Sequence, residues 1–150
     1  MIKKELKVNT LHGSLIRLNK SHRKMAHKKF KEIELTEGKP RLLDFLAINP
    51  GCSQREIATF CKIEPATATS ILSSMEEEEL IYRERNPKDK RILNVFLTQK
   101  GKESQKKVEK VFSDLDEICF EGFTDKEKTE AINMMNRLYE NLAKHREKDE

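Results

Sequence analysis

The sequence predicts a mainly α-helical fold that carries one small β-hairpin. Three observations lead there. Apolar residues recur at helical spacing near both ends of the 150-residue chain. Between Ile81 and Leu97 the pattern switches to the alternation of half-buried strands. Ser53 to Glu56 and Thr124 to Glu127 have the form of capping boxes, in which a hydroxyl takes the amide hydrogen three residues on and the glutamate returns to the cap amide.

In chain order, the first helix is marked by Leu11, Leu15, Leu18, His22 and Met25 on one face. A second helical segment starts at Ser53, turns Ile57, Ala58 and Cys61 inward, and gives way at Lys62-Ile63. The next starts at Pro65, because proline's missing amide hydrogen costs nothing at a first helical position. Its inward stripe is Ala68, Ile71, Leu72 and Met75, which leaves Ala66, Thr67, Thr69, Ser70, Ser73 and Ser74 as a small, polar face. Strands follow from Ile81 to Arg85 and from Arg91 to Leu97, the second with Leu93, Val95 and Leu97 on one side. Between them Asn86-Pro87-Lys88-Asp89-Lys90 is a turn with basic ends. Val108, Val111, Leu115 and Ile118 form a stripe between Gln99 and Phe120, and Ala131, Met135, Leu138 and Leu142 form another after Thr124.

Two short helices at a sharp turn, followed by a basic two-stranded ribbon, make a winged helix-turn-helix. That arrangement points to duplex DNA. The second helix of such a pair lies in the major groove, where hydroxyls exchange hydrogen bonds with base edges and alanine or threonine methyls meet thymine methyls. Arg83, Arg85, Lys88, Lys90 and Arg91 gather on the adjoining hairpin, where they can neutralise phosphates or enter a minor groove. An amphipathic helix pair or a solvated charged hairpin is commonplace by itself; their adjacency favours DNA.

The run Leu35-Thr36, Leu42-Leu43, Asn49-Pro50-Gly51, Ser53-Gln54-Arg55-Glu56-Ile57-Ala58, Thr67, Thr69, Leu80-Ile81-Tyr82-Arg83, Asp89-Lys90-Arg91 and Leu97-Thr98-Gln99-Lys100-Gly101 resembles the MarR family of bacterial transcription regulators. The specific part is Asp-x-Arg in the wing, followed by a strand ending Leu-Thr-x-x-Gly. The resemblance implies that Arg91 reaches into the minor groove and that Asp89 orients it by an ion pair. It also implies phosphate and base contacts from Ser53, Gln54, Thr67, Thr69 and Ser70, and homodimers formed through the terminal helices. Two positions depart from the family pattern. Glu79 stands where a glycine usually ends the recognition helix in the left-handed conformation, which predicts a strained cap or a longer helix. Ser70 stands where a base-reading arginine is common, which predicts weak or shape-based base selection. The four acids Glu76 to Glu79 are expected to form a solvated helix end turned away from phosphate.

Length fits a single domain, 1–150, with residues 35–98 as the winged DNA-binding lobe and 1–34 with 99–150 as the helical dimerisation region. A formal charge of +4 and a pI near 8.9 permit nucleic-acid binding without demanding it, because clustering matters more than the sum. No apolar run approaches the ~20 residues of a membrane span. Met1-Ile2-Lys3-Lys4-Glu5 lacks the apolar core and cleavage site of a signal peptide, so no membrane partner and a cytoplasmic location are expected.

Cys52, Cys61 and Cys119 are an odd set without a C-x-x-C pair, which argues against a disulfide framework and a cysteine-rich zinc site. Cys61 precedes Lys62, a cation that would favour thiolate and redox sensing. Peroxide-sensing members of the family, however, carry their reactive cysteine in the first helix, and here that helix has none. His12, His22, His27 and His145 are poorly placed for metal, since His22 and His27 miss the i, i+4 spacing that would put both on one face. Zinc-sensing relatives use histidines in the fifth helix, and Gln99 to Phe120 contains none. No nucleophile with its base, phosphate-cradling glycine loop or catalytic carboxylate pair is visible. An enzyme, a catalytic residue, a metal and a cofactor are therefore not expected.

The apolar stripes at both ends exceed what one small winged core can cover, and a two-fold dimer would bury the same stripe on each subunit. Symmetry then sets the recognition helices about 34 Å apart, matching a pseudo-palindromic operator. The expectation is a homodimeric transcription regulator, most simply a repressor, that binds double-stranded DNA and answers to a small amphipathic or phenolic effector of the kind the family takes. No residue is assigned to an effector pocket. The alternatives are a winged-helix protein-interaction module and a DNA-binding regulator without effector.

Overall fold

The structure, a computed structural model, describes residues 9–36 and 38–146. Its elements run α1 (Leu11–Glu32), α2 (Lys39–Ile48), β1 (Cys52–Ser53), α3 (Gln54–Cys61), α4 (Pro65–Glu77), β2 (Ile81–Arg85), β3 (Leu93–Leu97), α5 (Gln99–Cys119) and α6 (Asp125–Arg146). The mainly helical winged fold expected from the sequence is present. Two elements are additions to that expectation: α2, opened by Gly38 and Pro40, and the two-residue strand β1. The sheet is antiparallel with order β1-β3-β2, Cys52 lying opposite Val95 and Arg83 opposite Val95 from the other side.

The chain divides into two compact units, Met1–Leu115 and Asp116–Glu150. In the first, Leu42, Leu43 and Leu46 of α2, Ile57 and Cys61 of α3, Leu72 and Met75 of α4, and Ile81, Val95 and Leu97 of the sheet share one apolar core. Ala26 and Phe30 of α1 and Val108, Val111 and Leu115 of α5 complete it. Truncating such a side chain, Leu72→Ala for example, would cost about 2–5 kcal/mol through lost transfer energy and the cavity left behind. The expected inward stripe of α4 holds, with Ala68, Leu72 and Met75 buried and Ile71 half-buried. Leu93 departs from its expected face. It pairs with Arg85 at the far end of the hairpin, beyond the core, and stays exposed.

Among the described residues, three helices stop through a left-handed residue that is not glycine. Glu34, Lys62 and Glu79 take left-handed φ values of 58°, 50° and 60°. Behind each, two reversed backbone bonds satisfy the last carbonyls: Leu35 and Glu34 amides donate to Phe30 and Lys31, Ile63 and Lys62 to Ala58 and Thr59, Leu80 and Glu79 to Met75 and Glu76. Leu35, Ile63 and Leu80 turn inward, so an apolar residue that must be buried holds each charged residue in an unfavourable conformation. For the recognition helix this decides between the two expectations at Glu79: the helix is not lengthened, and the cap is strained.

In the second unit, Thr124 caps α6 with the expected box, its hydroxyl taking the Glu127 amide at 3.2 Å while Glu127 accepts the Thr124 amide at 2.8 Å. Phe120 meets Phe123 edge-on at 5.5 Å, with the Lys128 ammonium 5.3 Å above the Phe120 ring. No residue of α6 is buried, and Met135, Leu138 and Leu142 all remain exposed. The expected stripe on α1 is likewise uncovered: Leu11, Leu15, Leu18 and Met25 are exposed. No helix among the described residues is long and apolar enough to cross a membrane.

Candidate nucleic-acid interface

Ser53 sits at the joint where β1 becomes α3. Its hydroxyl accepts the Glu56 amide at 3.2 Å, and Glu56 accepts the Ser53 amide at 2.7 Å. These bonds hold the Glu56 carboxyl below the ordinary glutamate value and start α3 as the sequence foretold. α4 begins at Pro65, and its outer face presents Ala66, Thr67, Thr69 and Ser70 to solvent.

The wing is a self-braced loop. The Asn86 carboxamide oxygen accepts the amides of Lys88 and Asp89, and the Asn86 amide closes the loop on the Ile92 carbonyl at 2.8 Å. Arg91 and Ile92 therefore belong to the turn rather than to the strand, which starts at Leu93. Asp89 accepts the Arg91 amide at 3.0 Å and grips its guanidinium through Nε at 3.0 Å and Nη2 at 2.9 Å. This two-point grip restricts the side chain, yet Arg91 stays 90% exposed, and the hydrogen bonds from its side chain and amide depress the Asp89 pKa. Lys88 and Lys90 flank it, both exposed, and Arg85 donates to the Lys90 carbonyl at 3.2 Å. An open groove of about 360 Å³ runs between α3 and the wing, lined by Ser53, Gln54, Arg55, Arg91, Ile92 and Leu93. Arg55 was absent from the expected contacts. It is exposed on the first turn of α3, where the capping box alone gave its position away.

Arg83 behaves differently from the other wing cations. Its side chain is only 18% exposed, its Nη2 lies 2.5 Å from Glu76 Oε2, and its Nη1 donates to the Gln54 carboxamide oxygen at 3.3 Å. Gln54 in turn donates to the Thr69 hydroxyl, which donates to the Pro65 carbonyl at 2.9 Å. Of the residues expected at DNA, Gln54, Thr69 and Arg83 are thus joined in one network, while Thr67, Ser70, Lys88, Lys90 and Arg91 face solvent. The acid run Glu76 to Glu79 is not simply a solvated helix end, as expected. Glu76 holds Arg83, and Glu78 accepts from buried Lys39 at 2.5 Å and from Ser74 at 3.0 Å. Hydrogen bonds from Arg83 and Lys39 respectively depress both carboxyl pKa values.

The far end of α4 is fastened to α5. Thr98 donates its amide to the Leu80 carbonyl at 3.1 Å and its hydroxyl to the Glu79 carbonyl at 2.5 Å, while the same hydroxyl accepts the Gly101 amide at 3.0 Å. Lys100 donates to the Glu78 carbonyl at 2.6 Å. Gly101 is required here by close approach, because a Cβ at that position would lie 1.9 Å from the Leu80 carbonyl oxygen.

Cys61 is buried and Cys52 half-buried. Burial pushes the Cys61 thiol up despite the nearby Arg41 charge, and pushes Cys52 to about 11, which disfavours the thiolate at both positions. Among the described residues no three acidic, histidine or cysteine side chains cluster as metal ligands.

A recognition helix of small polar side chains, a basic wing held by Asp89 and a three-stranded sheet define a winged helix-turn-helix regulator of transcription that binds DNA. Comparison with known proteins agrees. A profile of the MarR family matches residues 34–92, and the chain is 27% identical to an uncharacterised HTH-type transcriptional regulator, YybA, of Bacillus subtilis over 115 residues, 77% of each chain. It is 28% identical over 112 residues to the HTH-type transcriptional repressor IacR of Pseudomonas putida, covering 75% of this chain and 67% of that protein. Among solved structures, a MarR transcriptional regulator from Methanosarcina mazei superposes with a TM-score of 0.77 at 27% identity, over 89% of this chain and 96% of that one. A Listeria monocytogenes protein described as a MarR family regulator, solved in complex with a 26mer DNA, shares the fold with a TM-score of 0.75 at 21% identity over 91% of both chains. The chain is thus similar to the MarR family in sequence over residues 34–92 and in fold over most of its length.

Proposed function

We propose that the protein is a homodimeric repressor that binds a pseudo-palindromic operator and is released by a small amphipathic anion. The observation that carries this reading is the wing: Asp89 grips Arg91 at two points while leaving it 90% exposed, which suits insertion of a pre-oriented guanidinium into a minor groove. On this reading Thr67, Thr69 and Ser70 meet base edges, Ser53 and Gln54 position the α3 end at phosphate, and Lys88 and Lys90 neutralise phosphates around Arg91. Residues 35–98 form the DNA-binding lobe, with Arg83 at its base. Residues 1–34 and 99–150 form the dimerisation region, supported by the uncovered stripes on α1 and α6. Likeness to the repressor IacR supports repression, which needs no more than occlusion of a promoter.

Two features support effector control. A cleft of about 370 Å³ between α1 and α5 is lined by Lys29, Lys106, Lys107 and Lys110 together with Glu32 and Asp114, beside Ile33 and Val111; Lys110 is paired with Asp114, and the lysines still outnumber the acids, which suits an amphipathic anion. The bonds from Thr98 and Lys100 to the end of α4 give α5 a direct hold on the recognition helix. An effector that prefers the non-binding spacing by about 1–3 kcal/mol would change DNA affinity roughly 5- to 150-fold. The test is titration of salicylate and related phenolic acids into the protein–operator complex. Release that is lost when Lys106 and Lys107 are changed to glutamine supports the reading, and operator binding indifferent to every such anion leaves a regulator without effector.

A further inference from the structure

Arg83 sits at the base of the wing, where an arginine would ordinarily be assigned to a DNA phosphate. Its surroundings argue otherwise. The guanidinium directs Nε at 3.1 Å and Nη2 at 2.5 Å to the same oxygen of Glu76, and Nη1 at 3.3 Å to Gln54. With a carboxylate of its own, Arg83 has no net charge to offer a phosphate, and withdrawing it would strand Glu76 beside the negative backbone. The contacts also cross three elements: Glu76 is the penultimate residue of α4, Arg83 lies mid-strand in β2, and Gln54 opens α3. The chain of bonds ends on the Thr69 hydroxyl, which is left with one donation to Pro65 and one acceptance from Gln54.

We infer that Arg83 is a positioning residue and not a phosphate ligand: with its charge matched by Glu76, it clamps the wing to the recognition helix and sets the carboxamide of Gln54 and the hydroxyl of Thr69. The inference rests on the DNA-binding reading of this face and deepens it. Glu76 thereby has two effects. It keeps one cation of the wing out of the sequence-blind attraction to phosphate, and it fixes Gln54, which positions α3 at phosphate, and through it Thr69, which meets the bases. The pair favours discrimination over raw affinity, because counterion release rewards every available cation equally on any sequence.

The test compares full-length wild type, Arg83→Gln, Glu76→Gln and the double variant on two probes, a duplex selected by the wild-type protein from a randomised pool and its scrambled counterpart, each across a salt series. Arg83→Gln is expected to shrink the selected-to-scrambled affinity ratio about tenfold, while the double variant, which removes both charges of the pair together, is expected to keep the wild-type salt slope. Glu76→Gln is expected to tighten binding to the scrambled duplex and steepen the slope by about 0.9 per protomer, the value of one released cation. That gain should vanish in the double variant, which identifies Arg83 as its source. Should Arg83→Gln prove unfolded, Arg83→Lys carries the affinity-ratio readout, since it keeps the charge but cannot bridge Glu76 and Gln54 together. The inference is overturned if the double variant lowers the slope by about 0.9 on both duplexes, if removing Arg83 leaves the affinity ratio intact, or if the Glu76→Gln gain persists without Arg83. A wild-type protein that selects no duplex from the pool defeats the DNA-binding reading itself, and this inference with it.

Discussion

The winged lobe and the terminal helices are built from the same helical periodicity, yet they end in opposite states. In the lobe, Leu42, Leu43, Ile57, Leu72 and Met75 are buried and the polar residues above them are bonded across elements. On α1 and α6 an equally regular stripe from Leu11 to Met25, and from Met135 to Leu142, lies exposed. A periodic apolar stripe therefore states only that a face wants to be covered. What covers it, the same chain or another, depends on whether three-dimensional neighbours exist within reach, and residues 35–98 supply those neighbours to one another through short loops.

The comparison is broken most forcefully at the tightest joint. Gly101→Ala should lower stability by about 3 kcal/mol, because its Cβ has to displace the Leu80 backbone rather than a flexible side chain. Thermal unfolding checks this, and a variant as stable as wild type would mean that the α4–α5 junction is looser than described. The opposite prediction applies to the exposed stripe. Leu138→Glu with Leu142→Glu should leave helical content unchanged while weakening the proposed dimer about a hundredfold or more, since each charge would be stranded in the apolar contact that the proposal places there. Sedimentation equilibrium measures the outcome, and an unaffected dimer would move the interface away from α6.

Acid sharpens the contrast further. Glu56, Glu76, Glu78 and Asp89 in the lobe, against Glu127 alone near α6, have pKa values below their ordinary ones because of hydrogen bonds made in the folded state. For such groups the stabilisation is complete above the unfolded pKa and disappears as pH falls through the folded one. Stability should accordingly be level above about pH 5 and decline below about pH 4, with amide exchange in the lobe accelerating first. Asp44, whose pKa is raised chiefly by burial, acts in the reverse direction and softens the decline. Uniform acceleration across lobe and α6 would contradict this. The smallest effect is expected at Glu79→Gly, which should stabilise the lobe by about 1 kcal/mol by removing a side chain from a φ of 60°. A loss of stability there would show that the glutamate side chain makes a compensating contact.

Much of the lobe was legible in the sequence because its signals are local. The Ser53–Glu56 box, Pro65 at a first turn and the Asn86–Lys90 turn each act within a few residues, and each stands where periodicity and turn chemistry put it. What was not legible depends on partners far along the chain. Strand β1 exists only because Cys52 and Ser53 meet Val95 and Asn94. Glu76 and Glu78 read as one solvated acid run because nothing local connects them to Arg83 and Lys39. The left-handed stops at Glu34, Lys62 and Glu79 carry no glycine to announce them; the available signal was an apolar residue directly after a charged one at a helix end. In the wing, exposed Arg91 makes the ion pair with Asp89 that the resemblance implied, whereas Arg83 is committed to an intramolecular pair that composition alone could not reveal.

The central claim is that the wing delivers Arg91 to DNA. Fluorescence-anisotropy titration of wild type and Arg91→Ala against duplex from the protein's own promoter region and a scrambled duplex, at two salt concentrations, tests it most directly. The account predicts tight, sequence-preferring, salt-dependent binding by wild type, with the slope reduced by about 0.9 per protomer and the affinity sharply weakened in Arg91→Ala. Wild-type affinity and slope in the variant, or equally weak binding to both duplexes by the wild type, would contradict it.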